Sequence, residues 1–116
     1  VSDLAWEVHL SDSSRKYYEE AIELAKLLEN PELQAQNLNR LGIAYRNIEL
    51  QEESLKMYEE ALKVAKSSGN HKEEAFALNN IAQIHYYQES YEDAMTYYEE
   101  AKDIFLKINN LDGLGY

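Results

Sequence analysis

Tyr18-Glu19-Glu20-Ala21, Tyr58-Glu59-Glu60-Ala61 and Tyr98-Glu99-Glu100-Ala101 are one tetrapeptide written three times, each copy starting forty residues after the last. A fixed period of that size marks a chain built by stacking one supersecondary unit, so it decides the architecture before any other feature is weighed. The register runs outward from the motif without gaps. Leu38 falls on Leu78, Asn39 on Asn79, Leu41 on Ile81, Glu52 on Glu92, Val64 on Ile104 and Asn70 on Asn110, with Asn30 one period earlier. The chain divides into a truncated unit over 1–30, full units over 31–70 and 71–110, and the opening of a further unit over 111–116. Val1 aligns with Leu41, inside the first helix of its unit, so the expectation is a piece of a longer array.

Within each unit the apolar residues recur at helical spacing, as in Leu38, Leu41, Ala44, Tyr45 and Ile48, then Leu55, Tyr58, Ala61, Leu62 and Ala65. The punctuation fits. Asn30-Pro31 sets a capping side chain before a proline at the first helical position, where a missing N–H costs nothing. Gly69 suits the left-handed close of one helix, and Asn70 opens the next with Glu73 as a capping-box partner. The pattern predicts a short helix over 1–9 and helices over 12–28, 31–49, 52–68, 71–88 and 91–108, with another beginning near Leu111. The fold class is all-α: antiparallel helix pairs with short connectors, stacked into a right-handed superhelix.

Composition bounds the function. The 116 residues include 45% hydrophobic side chains, enough for one domain with a core. No apolar run approaches the roughly 20 residues that span a bilayer, and the N-terminal stretch lacks the basic-then-apolar layout of a signal peptide. Zero cysteines exclude disulfide scaffolds, thiol catalysis and cysteine zinc sites. Such usage suits a reducing cytosol, so a cytoplasmic location and no membrane partner are expected. The net charge of −11, from 11 basic and 22 acidic side chains, argues against nucleic acid, whose phosphates call for a basic stripe. The acidity gathers at Glu19, Glu20, Glu23, Glu59, Glu60, Glu99, Glu100 and Asp103 and reads as a solvated outer helix face in preference to an acidic docking patch.

The second unit reads Leu38, Leu41, Gly42, Tyr45 in its first helix and Ser54, Tyr58, Ala61 in its second; the third reads Leu78, Ile81, Ala82, His85, then Ala94, Tyr98, Ala101. This order of large, large, small, aromatic, then small, aromatic, small resembles the tetratricopeptide repeat family over the whole chain. The physical basis is close approach: small residues let two helices cross tightly, and the aromatics fill the space beside them. Two departures are plain. The usual unit is about 34 residues where this one is forty, and the family's tryptophan near the start of the first helix is replaced by Leu38 and Leu78. Long units with an Asn-rich opening, as in Ala77-Leu78-Asn79-Asn80, are similar to the subgroup of kinesin light chains, polarity adaptors and bacterial peptide-sensing regulators.

The resemblance implies a concave groove lined by the first helix of each unit, where peptides bind. The groove set is then Gln36, Asn39, Ile43, Arg46 and Asn47 in the second unit and Phe76, Asn79, Asn80, Gln83, Tyr86 and Tyr87 in the third. Asp3, Trp6 and Glu7 are the equivalents in the truncated unit. Asn39 and Asn79 either pair with the backbone of an extended peptide or bond neighbouring helices and organise the array. Arg46, the one cation of the set, either holds a ligand carboxylate through a bidentate pair or is occupied by Glu49 or Asn47. Tyr86, Tyr87 and Trp6 form either an aromatic wall for a partner or ordinary packing.

Catalytic and cofactor chemistry find no foothold. His9, His71 and His85 show no metal spacing, and His85 takes the aromatic slot of Tyr45. Adjacent pairs such as Glu59-Glu60 diverge on a helix and cannot flank a substrate. There is no phosphate loop and no nucleophile elbow. The expectation is a non-enzymatic protein- or peptide-binding scaffold without cofactor. The alternative is a regulatory, sensor or dimerisation segment of a larger signalling protein. A consensus-designed array is a third reading, but Leu28-Glu29-Asn30-Pro31 and Ser68-Gly69-Asn70-His71 differ too much for copied units. Val1, Leu4, Trp6 and Val8 at one end and Leu111, Leu114 and Tyr116 at the other predict self-association through uncapped terminal helices.

Overall fold

The computed structural model describes the backbone of residues 2–113 and the side chains of residues 14–109. Five helices follow in order: α1 (Ser2–Leu27), α2 (Pro31–Asn47), α3 (Gln51–Ser68), α4 (His71–Tyr87) and α5 (Tyr91–Gly113). Among the described residues there is no strand.

The four reversals are built alike. Each centres on a residue of positive φ, Glu29 (52°), Glu49 (64°), Gly69 (71°) and Glu89 (63°), spaced by half the sequence period. After each, an amide reaches back five residues to close the helix end: Asn30 to Ala25 (2.9 Å), Leu50 to Tyr45 (2.9 Å), Asn70 to Ala65 (2.9 Å) and Ser90 to His85 (2.8 Å). Asn30 and Asn70 then cap the next helix, accepting from the amides of Leu33 (3.1 Å) and Glu73 (3.2 Å). The reciprocal half of the capping box is absent, because the Glu73 carboxylate turns instead to Asn39 on α2.

Two helix boundaries differ from the sequence expectation. α1 runs unbroken where a break between residues 9 and 12 was expected, and α5 continues through 109–111 to Gly113. Neither stretch holds a glycine or proline, so helix propagation meets no obstacle. A left-handed reversal at a non-glycine residue costs about 1–2 kcal/mol. The full helices either side of Glu49 and Glu89 offset it by what they bury.

Successive helices pack on one another, and α2 also touches α4, so the first helices of adjacent units share one layer, while among the described residues the helices between them do not touch one another. Register-related small residues are fully buried at the crossings: Ala35 with Ala75, and Ala25 with Ala65. One core cluster joins Ile22, Leu38, Leu41, Ala61 and Ala77 across four helices; a second joins Tyr58, Ile81 and Ile84, with Leu55 and Leu62 against it. The repeated acidic pairs Glu19-Glu20, Glu59-Glu60 and Glu99-Glu100 are exposed.

Candidate functional site

The sequence-predicted residues of α2 and α4 are gathered at two ends of the layer those helices share. At the end formed by the helix C-termini, Arg46, Asn47, Gln83, Tyr86 and Tyr87 line a cavity of about 750 Å³, joined there by Glu49, Gln51 and Tyr98. At the opposite end Gln36, Asn39 and Phe76 line a smaller one of about 240 Å³, with Arg40, Lys72, Glu73 and Phe105. Ile43 and Asn79, both half-buried, and the buried Asn80 line neither. Asp3, Trp6 and Glu7 lie outside the residues whose side chains are described.

Arg46 is held by the next unit. Its guanidinium donates to Oε1 of Gln83, 37 residues on, so neither Glu49 nor Asn47 occupies it. The bond ties α2 to α4 across the floor of the larger cavity and leaves the other guanidinium N–H groups for a ligand. The tie also orients the Gln83 amide: with its oxygen toward Arg46, its NH2 is the end left to donate.

Asn39 has a structural task. It is 1% exposed, and its Nδ2 donates to the Glu73 carboxylate (2.9 Å) and, more weakly, to the Glu73 carbonyl (3.4 Å). Its Oδ1 has no partner among the described residues. Asn79, one period later, is half-buried, so the two asparagines do not present a matched ladder to the groove. Asn80 is 4% exposed, with Nδ2 also lacking a partner.

The aromatic side chains divide in the same way. Tyr86 and Tyr87 stand exposed, Tyr86 meeting Tyr87 edge-on at 6.1 Å and Tyr91 at 5.4 Å. Tyr58 is fully buried and its hydroxyl lacks a hydrogen-bond partner. Burial pushes that hydroxyl's pKa up, opposed by Ser54 and by the Arg46 charge. Ser54 gives its own proton to the Gly42 carbonyl (2.7 Å). His85 lies parallel to Tyr97, ring centroids 5.3 Å apart, as a packing residue. Among the described residues no group of three or more His, Cys, Asp or Glu is placed to hold a metal, and no helix is long and apolar enough to cross a membrane.

Sequence reasoning missed part of both cavities. Arg40 lies one helical turn beyond Gln36, a spacing that puts both on one face. Phe105 occupies the register position of Ala25 and Ala65, and an aromatic at a slot elsewhere filled by a small residue was the available sign. Tyr98 was assigned to packing, and it is half-buried as a cavity wall.

No curated protein matches the chain. A model of the Tetratricopeptide repeat family matches residues 3–67 and, in an overlapping second placement, 33–107. Those spans cover nearly the whole sequence and follow the helix pairs and half-period reversals described above. Such repeats mediate protein–protein interactions and are typically non-enzymatic scaffolds, and by its repeats and its helical architecture this chain belongs to the tetratricopeptide repeat family.

Proposed function

We propose that the chain is a non-enzymatic scaffold that holds an extended peptide segment along the layer formed by α2 and α4. The observation that carries this reading is the placement of the cavities. Both open beside the first helices, one around Arg46, Gln83, Tyr86 and Tyr87 and the other around Gln36, Asn39 and Phe76. A segment running from one cavity to the other meets a guanidinium, several amides and exposed rings, the mix of anchors and hydrogen-bonding groups that peptide grooves use. Selection of binders from a displayed peptide library tests the proposal. Arg46→Ala and Phe76→Ala are expected to weaken the selected peptides about tenfold or more, and Glu60→Lys to leave them unchanged. Peptides lost on Glu60→Lys and indifferent to Arg46→Ala would move the binding face to the acidic side.

A second reading has its own observation. Leu55, Tyr58 and Leu62 of α3 pack with Ile81 and Ile84 of α4, yet their register equivalents Met95, Tyr98 and Lys102 on α5 are exposed or half-buried. This face supports self-association through α5. The terminal side chains first expected to drive it lie outside the described residues. Light scattering over a concentration series tests it. Growth in mass that Met95→Glu abolishes supports the reading, and a monomer at millimolar concentration ends it.

A further inference from the structure

The smaller cavity, at the N-terminal end of α4, has a charge opposite in sign to that of the chain. Its lining holds two cations, Arg40 and Lys72, and one carboxylate, Glu73, on a chain of net charge −11. Neither cation belongs to an ion pair among the described residues. The carboxylate is engaged, accepting from Asn39 Nδ2 at 2.9 Å. Asn39 Oδ1 is buried, and the Gln36 amide serves as donor or acceptor alike. Phe76 and Phe105 supply the apolar wall, 39% and 40% exposed.

The backbone adds no free acceptor. Every lining residue lies inside α2, α4 or α5, more than a turn before that helix ends, so its carbonyl is taken by the next turn. Lys72 and Glu73 stand in the first turn of α4, the positive end of the helix dipole. At about 240 Å³ the cavity is smaller than the roughly 300–1,000 Å³ that encloses a whole small-molecule ligand, so it seats a side chain of a longer segment.

A neutral apolar side chain uses the phenylalanines and leaves both cations unmatched. A basic one meets like charge. A carboxylate beside an apolar group uses both halves of the lining: the rings take the apolar part, while Arg40 and Lys72 give charge-assisted hydrogen bonds and their excess of one charge is neutralised. The acidity of the chain as a whole does not reverse this preference, because charges beyond about 8 Å are screened at physiological salt and the two cations act at contact.

We infer that the cavity of Arg40, Lys72, Phe76 and Phe105 is a subsite for a carboxylate next to a large apolar side chain in the bound segment. The inference rests on the groove reading above and names the ligand chemistry at one end of that groove.

Titration with a blocked peptide carrying phenylalanine and glutamate two residues apart, on one face of an extended chain, tests it by nuclear magnetic resonance. The expected result is saturable shifts at the N-terminal end of α4 and the facing part of α2, with affinity falling as salt is raised. Glutamine in place of the glutamate should weaken binding about tenfold, and so should Arg40→Gln with Lys72→Gln, at unchanged helicity because both side chains are exposed. Phe105→Ala should weaken it by a similar factor. A second peptide, with a free C-terminal carboxylate and no acidic side chain, identifies the source of the group; preferential binding of either peptide over its uncharged analogue supports the subsite. Equal affinity for the glutamate and glutamine peptides, or no saturation at millimolar concentration, overturns it. If library-selected peptides are lost on Arg46→Ala and Phe76→Ala yet carry no acidic preference and ignore Arg40→Gln with Lys72→Gln, the groove reading stands and this inference falls; if no peptide of any class binds, both fall.

Discussion

The two full units set nearly the same residues in the same register and pack them differently. In the α2–α3 pair the crossing residue is Gly42, and a Cβ built there would lie 2.5 and 2.7 Å from the Tyr58 ring. That space lets Tyr58 sink to full burial, while Ser54 locks the crossing by donating to the Gly42 carbonyl. In the α4–α5 pair Ala82 and Ala94 stand at those positions, so the carbonyl has no hydroxyl beside it, and Tyr98 stays half-buried as a cavity wall. Tyr58 is closed in by Ile81 and Ile84 of the following helix as well as by the space at Gly42, whereas Tyr98 on α5 meets no following helix among the described residues and faces a groove.

The comparison breaks most directly at the crossing. Gly42→Ala is expected to cost about 1–3 kcal/mol, because the ring it meets is fully enclosed and has nowhere to move. Ala82→Gly relieves no clash and should cost about 1–2 kcal/mol through helix propensity and the loss of one buried methyl group. Urea unfolding of both variants checks this, and equal losses would show that the two crossings are alike. Ala61→Leu should match the damage of Gly42→Ala, whereas Glu60→Leu, one residue away on the exposed face, should change stability by about 0.5 kcal/mol or less.

Asn39 and Asn79 sharpen the contrast with identical side chains. Asn39→Ala removes hydrogen bonds to Glu73 from a buried site and should cost about 2 kcal/mol, in the range for bonds to charged groups. Asn79→Ala should cost about 0.5 kcal/mol or less. A selected peptide that loses affinity with Asn79→Ala but not with a folded Asn39 variant would assign the groove role to the second asparagine alone. If Asn39→Ala leaves thermal stability unchanged, the link between α2 and α4 lies elsewhere, with Arg46 and Gln83 the next pair to remove.

Tyr58 adds a test against pH. Its buried hydroxyl lacks a partner, so Tyr58→Phe should leave stability unchanged or raise it by about 1 kcal/mol at neutral pH. Burial raises its pKa in the folded state. Above about pH 10, where a free phenol ionises, the unfolded chain therefore releases a proton that folded Tyr58 still holds. The stabilisation present below that pH is lost as the pH rises. Thermal melts of the parent should fall more steeply above this point than those of Tyr58→Phe, and parallel slopes would show that Tyr58 is not the group responsible.

The period made the architecture legible, since one tetrapeptide and its register placed the helices and the reversals between Asn30 and Ser90. Asn30, Asn70 and Gly69 act at helix ends as their chemistry requires. What stayed hidden depended on contacts between units. Nothing local says that Arg46 meets Gln83 rather than its neighbour Glu49, or that Glu73 leaves its capping box for Asn39, because both partners arrive from across the stack. The run of α1 through residue 10 was hidden for the opposite reason. No local feature stops a helix there, and the periodicity alone implied a stop.

The smallest effect concerns the reversals, where the comparison is between glutamate and glycine in one backbone conformation. Gly69 adopts φ 71° with nothing within 4 Å of a Cβ built there, so its value is conformational and owes nothing to space. Glu49 and Glu89, at φ 64° and 63°, hold the same geometry against the steric preference of an L side chain. Replacing either by glycine removes about 1 kcal/mol of left-handed strain, and the extra freedom of glycine in the unfolded chain returns roughly half of it. Glu49→Gly and Glu89→Gly should therefore each raise stability by about 0.5 kcal/mol, additively since the turns are in different units. Gly69→Ala should lower it by about 1 kcal/mol. Urea midpoints of the three variants and the double variant check this. A loss of stability in both glutamate variants would mean that these side chains stabilise the turns through contacts stronger than the strain they carry.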